Sequence, residues 1–317
     1  MNWGLTIPLA GIPLAEQKEI IQELPGLGYT DAWSAETNGT DGFTPLALAS
    51  QWAPELRLGP AIVPVYTRGP ALLAQQAATL ADLAPGRFVL GIGTSSDTIV
   101  ERWNGIPFTE PFAKVRDTLR FLRKALAGEK VTDETLNVKG FKLETAPKVA
   151  PQIALAALRP GMLRLAAREA DAAITNWLSP SDVRTVREAF DPDKELLARL
   201  FVVPTEDADE ARKLGRWLIT SYLNVPVYQK FHEWLGRGEA LSPMNELWAS
   251  GDRQGALKAI PDEVVDDLII HGSPAQCRAR IREYVDNGLT TPILMPLPNS
   301  NLNGPDAVRA LAPTATA

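Results

Sequence analysis

57-RLGPAIVPVYTRGPALLAQQAATLADLAPGRFVLGIGTS-95 holds an apolar run, an amphipathic segment and a second apolar run in close succession. The first run, 58-LGPAIVPV-65, has the length and branched-residue content of a strand. In 71-ALLAQQAATLADLA-84, Leu72, Gln75/Gln76, Thr79, Leu80 and Leu83 recur at three- and four-residue intervals, the period of a helix. The second run, 87-RFVLGI-92, closes on Gly91-Ile92-Gly93 and turns polar at Thr94, Ser95 and Ser96. Strand, helix and strand at this spacing form the repeating unit of a parallel sheet. The Gly-x-Gly is not a dinucleotide fingerprint. That motif needs a third glycine where Ser96 stands, and it belongs at the first strand-to-helix turn of a domain, whereas Gly91 lies far into the chain.

The unit repeats outward in both directions. Further strand candidates are 2-NWGLTI-7, 31-DAWSA-35, 152-QIALAA-157, 171-DAAITN-176, 196-LLARLFVV-203 and 290-TTPILM-295. Helical patterns follow at 14-LAEQKEIIQEL-24, 112-FAKVRDTLRFLRKALA-127, 160-PGMLRLAAREA-170, 181-SDVRTVREAF-190 and 275-AQCRARIREYVDN-287. Eight strands alternating with helices predict an α/β fold, the (β/α)8 TIM barrel, as one domain over residues 1–317. Two insertions interrupt it: 128–150, read as a hairpin around Lys139-Gly140, and 207–270, read as a helical lid containing Tyr222, Tyr228, Trp234 and Trp248.

Composition narrows the function. A chain of 317 residues, 45% hydrophobic, with net charge −6 and pI near 5.2, has no basic run to hold nucleic acid or an anionic membrane. The expected partner is a small molecule. Cys277 is the only cysteine, which excludes an internal disulfide, and neither C-x-x-C nor H-E-x-x-H occurs to bind zinc. With no apolar run of membrane length and no signal-like N-terminus, a cytoplasmic location is expected.

The active site of such a barrel lies at the C-terminal strand ends. Those positions hold Glu36, Thr37 and Asn38; Tyr66, Thr67 and Arg68; Gly93 to Asp97; Leu158, Arg159, Pro160 and Gly161; and Asn176 with Trp177. Arg159-Pro160-Gly161 opens a helix, and free N–H groups beside a guanidinium suit a phosphate.

The 57–95 stretch, with 28-GYTDAWSAE-36, 155-LAALRPGMLRLAAREADAAITNWL-178 and 271-HGSPAQCRARIREYVDNGLTTPIL-294, resembles the luciferase-like monooxygenase superfamily, in particular its coenzyme F420-dependent oxidoreductases. The resemblance implies a homodimeric enzyme that moves a hydride between the deazaflavin and a small organic substrate. Relatives in the superfamily use FMN instead, as monooxygenases, and a catalytically silent F420-binding protein is a third reading. Gly91 and Gly93 would let backbone approach the cofactor, with Thr94, Ser95 and Ser96 as donors. Ala157, Leu158, Arg159, Pro160 and Gly161 would follow its phosphate-bearing tail, and Trp177 would wall the ring or the substrate. Glu36 would meet the polar edge of the ring, and Glu36, Tyr66 or water would deliver a proton. The resemblance also implies a bulge with a non-proline cis peptide at Ala61-Ile62, behind the ring.

Each residue has a plainer reading. The glycines suit any tight turn, Glu36 a loop cap, and Trp33, inside its strand pattern, the core. Relatives that oxidise sugar phosphates carry a His after the acidic residue and a Glu after the Gly-x-Gly; here Thr37 and Thr94 or Ser95 stand there, which argues against that activity. His232 and His271 are read as structural and Cys277 as packed and inert. A serine hydrolase is disfavoured because no G-x-S-x-G occurs.

Overall fold

The computed structural model describes residues 2–300 and 302–315. β1 (Gly4–Thr6) leads to α1 (Lys18–Glu23), β2 (Asp31–Ser34) to α2 (Thr44–Trp52), and the paired segments β3 (Arg57–Pro60) and β4 (Val63–Pro64) to α3 (Pro70–Leu83). β5 (Val89–Gly93) precedes α4 (Pro111–Leu126), and a hairpin of β6 (Val131–Asp133) and β7 (Val138–Phe141) follows. β8 (Gln152–Ala156) leads to α5 (Pro160–Glu169), β9 (Ala172–Asn176) to α6 (Pro180–Glu188), and β10 (Glu195–Val203) to the lid helices. These are α7 (Ala208–Leu223), α8 (Pro226–Trp234), α9 (Gly238–Ser250), α10 (Arg253–Lys258) and α11 (Asp262–Leu268). The chain returns through β11 (Ile269–His271), α12 (Pro274–Asp286), β12 (Thr291–Pro296) and α13 (Gly304–Ala310).

The sheet runs in the order β3-β2-β1-β12-β10-β9-β8-β5-β4, every pairing parallel. β3 and β4 are two pieces of one stave, broken at the cis peptide Ala61-Ile62 where the resemblance places one. A bridge from Leu58 to Phe88 joins the two ends of the sheet and makes it a barrel of eight staves. Local sequence explains where the helices begin. Proline occupies the first turn of α2 to α6 and of α12, where its missing N–H has no helical partner to lose. Ser179 and Ser273 each close a capping box, on α6 and α12.

Side chains alternate across each strand. In β10, Leu196, Ala198, Leu200 and Val202 pack outward against the helices, while Leu197 joins Trp33, Val89, Ala154, Ile174 and Ile293 in a separate cluster inside the barrel. Trp33 fills that interior as the sequence predicts for a core residue. A Cβ on Gly59 would stand 2.4 Å from its ring and one on Gly4 3.0 Å, so both glycines make room for the indole. At the N-terminal end Arg57 binds both oxygens of Glu195 (2.8 and 2.6 Å) and pairs with the buried Asp31. This network closes the bottom of the barrel and leaves the C-terminal end for ligands.

Two expectations need correction. The hairpin turns at 134–137, with Asn137 left-handed (φ 54°); Gly140 (φ 65°) lies within β7, opposite a register shift, and marks a bulge rather than the turn. The 207–270 insertion is not wholly helical, because its end forms β11, which pairs with Phe201, Val202 and Val203 of β10 beyond the point where β9 stops.

Candidate functional site at the barrel mouth

The break in the third stave shapes the mouth. Ala61 and Ile62 cross the barrel end there, and the two glycines of β5 accommodate them. A Cβ on Gly91 would fall 1.9 Å from the Pro60 carbonyl oxygen; one on Gly93 would fall 2.8 Å from Ala156 Cβ and 3.0 Å from Ile62 Cδ1. The expectation that Gly91 opens the backbone to a cofactor is therefore corrected: it is buried against Pro60, and its missing side chain admits the neighbouring stave. Gly93 brings Ile62 and Ala156 together as a small apolar shelf, both partly exposed.

From that shelf the chain runs without interruption to two groups of donors. Beyond Gly93, Thr94, Ser95 and Ser96 are partly exposed, and Ser95 takes the left-handed conformation (φ 61°). Beyond Ala156, the buried Ala157 and partly exposed Leu158 lead to Arg159, the N-cap residue of α5. No side chain caps this helix, Arg159 is exposed, and the Cβ direction of Gly161 is open. The N–H groups of Met162 and Leu163 turn back to the Arg159 carbonyl (3.0 Å each), so the Gly161 N–H and the guanidinium are what the helix end offers a ligand.

The residues predicted to move protons are engaged elsewhere. Arg68 grips both oxygens of Glu36, which also accepts the Gly42 N–H at 2.7 Å. The Tyr66 hydroxyl donates to the Thr109 carbonyl, and burial raises its pKa. In this geometry Glu36 anchors the exit of the second stave and Tyr66 the loop before α4. Trp177 is corrected as well. At 1% exposure it walls nothing; its left-handed backbone (φ 54°) turns the indole onto Phe201 (centroids 4.2 Å) and Tyr222 (5.3 Å), fastening the lid to the barrel.

Sequence reasoning missed Arg199. It lies on the inward face of β10, 7% exposed, and its Nη2 donates to the Ala61 carbonyl. Its Nε is buried without a partner, and no carboxylate pairs with it among the described residues. Burial lowers its pKa, partly offset by Tyr222 and Tyr228. Beside it, Asn176 Nδ2 donates to the Tyr228 hydroxyl at 3.1 Å, and burial pushes that phenol up to about 12, so Tyr228 keeps its proton. The Thr6 hydroxyl, on the inward face of β1, is a second buried polar group without a partner. A lone cation in the apolar run 196-LLARLFVV-203, in phase with its inward positions, was the available signal.

Other candidates lie off the mouth. A cleft of about 550 Å³ on the outer wall is lined by Glu206, Asp266, His271, Gln276 and Arg280. Its central groups satisfy one another: Asp266 is 3.0 Å from His271 Nε2 and 2.7 Å from Arg212. His232 is enclosed in α8, and burial pushes the thiol of the buried Cys277 up to about 12. Among the described residues no group of three or more His, Cys, Asp or Glu could hold a metal, and no helix is long and apolar enough to cross a membrane.

The sequence model of the luciferase-like monooxygenase family matches residues 3–291. The chain belongs to that family. This luciferase-like protein is 27% identical over 328 aligned residues, 92% of its own length and 93% of the relative's, to a putative coenzyme F420-dependent oxidoreductase of Mycobacterium tuberculosis. Its fold is similar to that of the coenzyme F420-dependent tetrahydromethanopterin reductase of Methanopyrus kandleri (TM-score 0.77, 21% identity, 98% and 97% of the two chains). It is also similar to the oxygenating constituent of 3,6-diketocamphane monooxygenase from Pseudomonas putida in complex with FMN (TM-score 0.67, 17% identity, 99% and 97%).

Proposed function

We propose that this chain is a coenzyme F420-dependent oxidoreductase that moves a hydride between the deazaflavin and a small organic substrate held beneath the lid. The observation that carries this reading is the continuity of an apolar shelf, Ile62 and Ala156, with an uncapped helix N-terminus bearing the exposed Arg159 three residues after the end of β8. A flat ring needs the first and a phosphate tail the second. The orphaned Arg199 Nε and the partly exposed hydroxyls of Thr94 to Ser96, held only by long local bonds to the Ser95 carbonyl (3.3 Å) and from the Ile99 N–H (3.4 Å), fit the polar edges of such a group. The 27% identical mycobacterial relative supports the F420 reading.

When bound, the deazaflavin supplies a ring carbon that gives or accepts hydride. The protein's own residues orient and shield. Ala61 and Ile62 would cover one ring face, leaving substrate the other. Arg159 and the Gly161 N–H would hold the tail by charge-assisted hydrogen bonds. Trp177, Phe201 and Tyr222 form a dry joint between barrel and lid that limits water at the mouth. Tyr228 Oη, protonated and accepting from Asn176, can donate a hydrogen bond to a substrate oxygen.

FMN shares the tricyclic core and a phosphate, and the Pseudomonas putida protein binds it on the same fold. Titration of the purified protein with each ligand separates the two. F420 is expected to bind at least tenfold more tightly than FMN (about 1.4 kcal/mol). Arg159→Ala should weaken F420 by roughly 1.5–3 kcal/mol, the range for hydrogen bonds to charged groups, and leave a ring fragment without the tail unaffected. Equal or reversed affinities would overturn the cofactor assignment.

A further inference from the structure

A guanidinium has five N–H donors. Arg199 uses one of them on the Ala61 carbonyl, keeps its Nε buried without a partner and has no carboxylate beside it among the described residues. Its neighbours are the side chains of Tyr222, Tyr228 and Asn176, none of them a carboxylate. Removing a charge from water without a counter-ion costs several kcal/mol, so an interior cation of this kind marks a place where negative charge is supplied from outside the chain. Position narrows the source. The carbonyl that Arg199 holds belongs to Ala61, next to Ile62 of the shelf, which places the guanidinium at the inner edge of any ring lying there.

We propose that Arg199 is the counter-charge for the reduced cofactor: its guanidinium stabilises the negative charge that a hydride brings to the pyrimidinedione edge of a flavin-type ring. The inference rests on the mouth being such a cofactor site, and it applies to F420 and FMN alike because both carry that edge. A hydride is a proton with two electrons, so its arrival at the central ring, at carbon in the deazaflavin or at nitrogen in FMN, leaves the ring one charge more negative unless a proton follows. The donor, an alcohol or a comparable C–H compound, loses the hydride from carbon and returns to neutrality by releasing a proton to water. Arg199 moves no proton; it favours the charged form over the neutral one.

The test compares wild type, Arg199→Gln and Arg199→Lys by equilibrium titration with oxidised and chemically reduced F420, and with oxidised and reduced FMN, without oxygen. Thermal melts of the ligand-free proteins run in parallel. For whichever ring the wild type binds, Arg199→Gln should lower the preference for the reduced over the oxidised form at least tenfold. Arg199→Lys, which keeps the charge, should restore most of it. Arg199→Met replaces the Gln variant if the latter does not fold. Equal loss of both redox forms in the neutral variant would overturn the proposal, leaving Arg199 as a support for the Ala61 carbonyl. Binding of FMN in place of F420 would sink the F420 reading while the redox comparison, made on FMN, still judges Arg199. Binding of neither ring by the wild type would sink both.

Discussion

Gly91→Ala tests whether the third stave is truly pressed onto the fourth. Alanine suits a strand better than glycine, so propensity alone forecasts a gain of about 0.5–1 kcal/mol. The structure forecasts the opposite. The new Cβ would lie 1.9 Å from the Pro60 carbonyl oxygen, more than 1 Å inside the 3.0 Å that real Cβ contacts respect, and 3.1 Å from its carbon. Ile174 Cδ1, at 2.9 Å, can rotate away, but Pro60 offers only backbone, so the stave itself must shift. Overpacking of a core costs about 1–3 kcal/mol, and a backbone clash belongs at the top of that range, about 3 kcal/mol. At about 2.1 cal/mol/K per residue, a chain of this length unfolds with an entropy near 0.7 kcal/mol/K, so the melting midpoint should fall by roughly 4–5 °C. Urea unfolding, followed by far-ultraviolet circular dichroism and by the fluorescence of the eight tryptophans, measures the change directly. Gly39→Ala, whose Cβ would meet nothing within 4 Å, is the control. If both variants unfold at the same urea concentration, the account of the bulge as a close-packed element is wrong.

Two further outcomes follow from buried charge. Arg57→Ala leaves Asp31 and Glu195 facing each other at the barrel bottom and should cost about 3–5 kcal/mol at neutral pH. In the native protein burial already holds the Asp31 carboxyl above its usual range despite Arg57; in Glu195 burial is outweighed by the Arg57 hydrogen bonds and the net direction is down. Without the cation both carboxyls titrate higher, so the deficit of the variant should shrink as pH is lowered and the carboxylates take up protons, and a deficit that grows on acidification would contradict the argument. His232 concerns the opposite sign. Burial, helped by Arg237, pushes its imidazole down to about 3 from an ordinary 6.5, so between those values the unfolded chain binds a proton that the fold refuses. Stability should therefore fall with falling pH, by about 2 kcal/mol from this residue between pH 6 and 4.5. His232→Gln should flatten that part of the profile; an unchanged slope would remove His232 from the account.

Most of the barrel was legible in the sequence because its staves are buried on both faces and read as apolar runs, with amphipathic helices between them. What escaped had weaker signals. α2, 44-TPLALASQW-52, is short and nearly uniformly apolar, so no helical stripe stands out. β11 has three residues and exists only because β10 outruns β9 and leaves its edge unpaired. Lys139-Gly140 looks like a turn because positive φ serves a bulge as well as a corner. At the site, chain order located the strand ends and the α5 N-terminus, since both follow from topology. The pairing of Glu36 with Arg68 and the burial of Trp177 were invisible, because each depends on residues 32 or more positions apart meeting in space or on one left-handed backbone angle. Arg199 was visible in principle, as the single charge in the apolar run 196-LLARLFVV-203 and in phase with its inward positions.

β11 has a bearing on how such proteins diversify. The lid leaves the barrel after β10 and comes back as β11 on the same strand, and the Gly272 N–H closes on the Thr205 carbonyl at 2.9 Å. Both seams of the insertion therefore sit side by side on one rim of the molecule. A cassette bounded in this way can be lengthened, shortened or exchanged between homologues without changing the register of any stave. Recombination at Thr205 and Gly272 would swap the ceiling of the pocket while the floor, with its bulge and its helix end, is inherited intact.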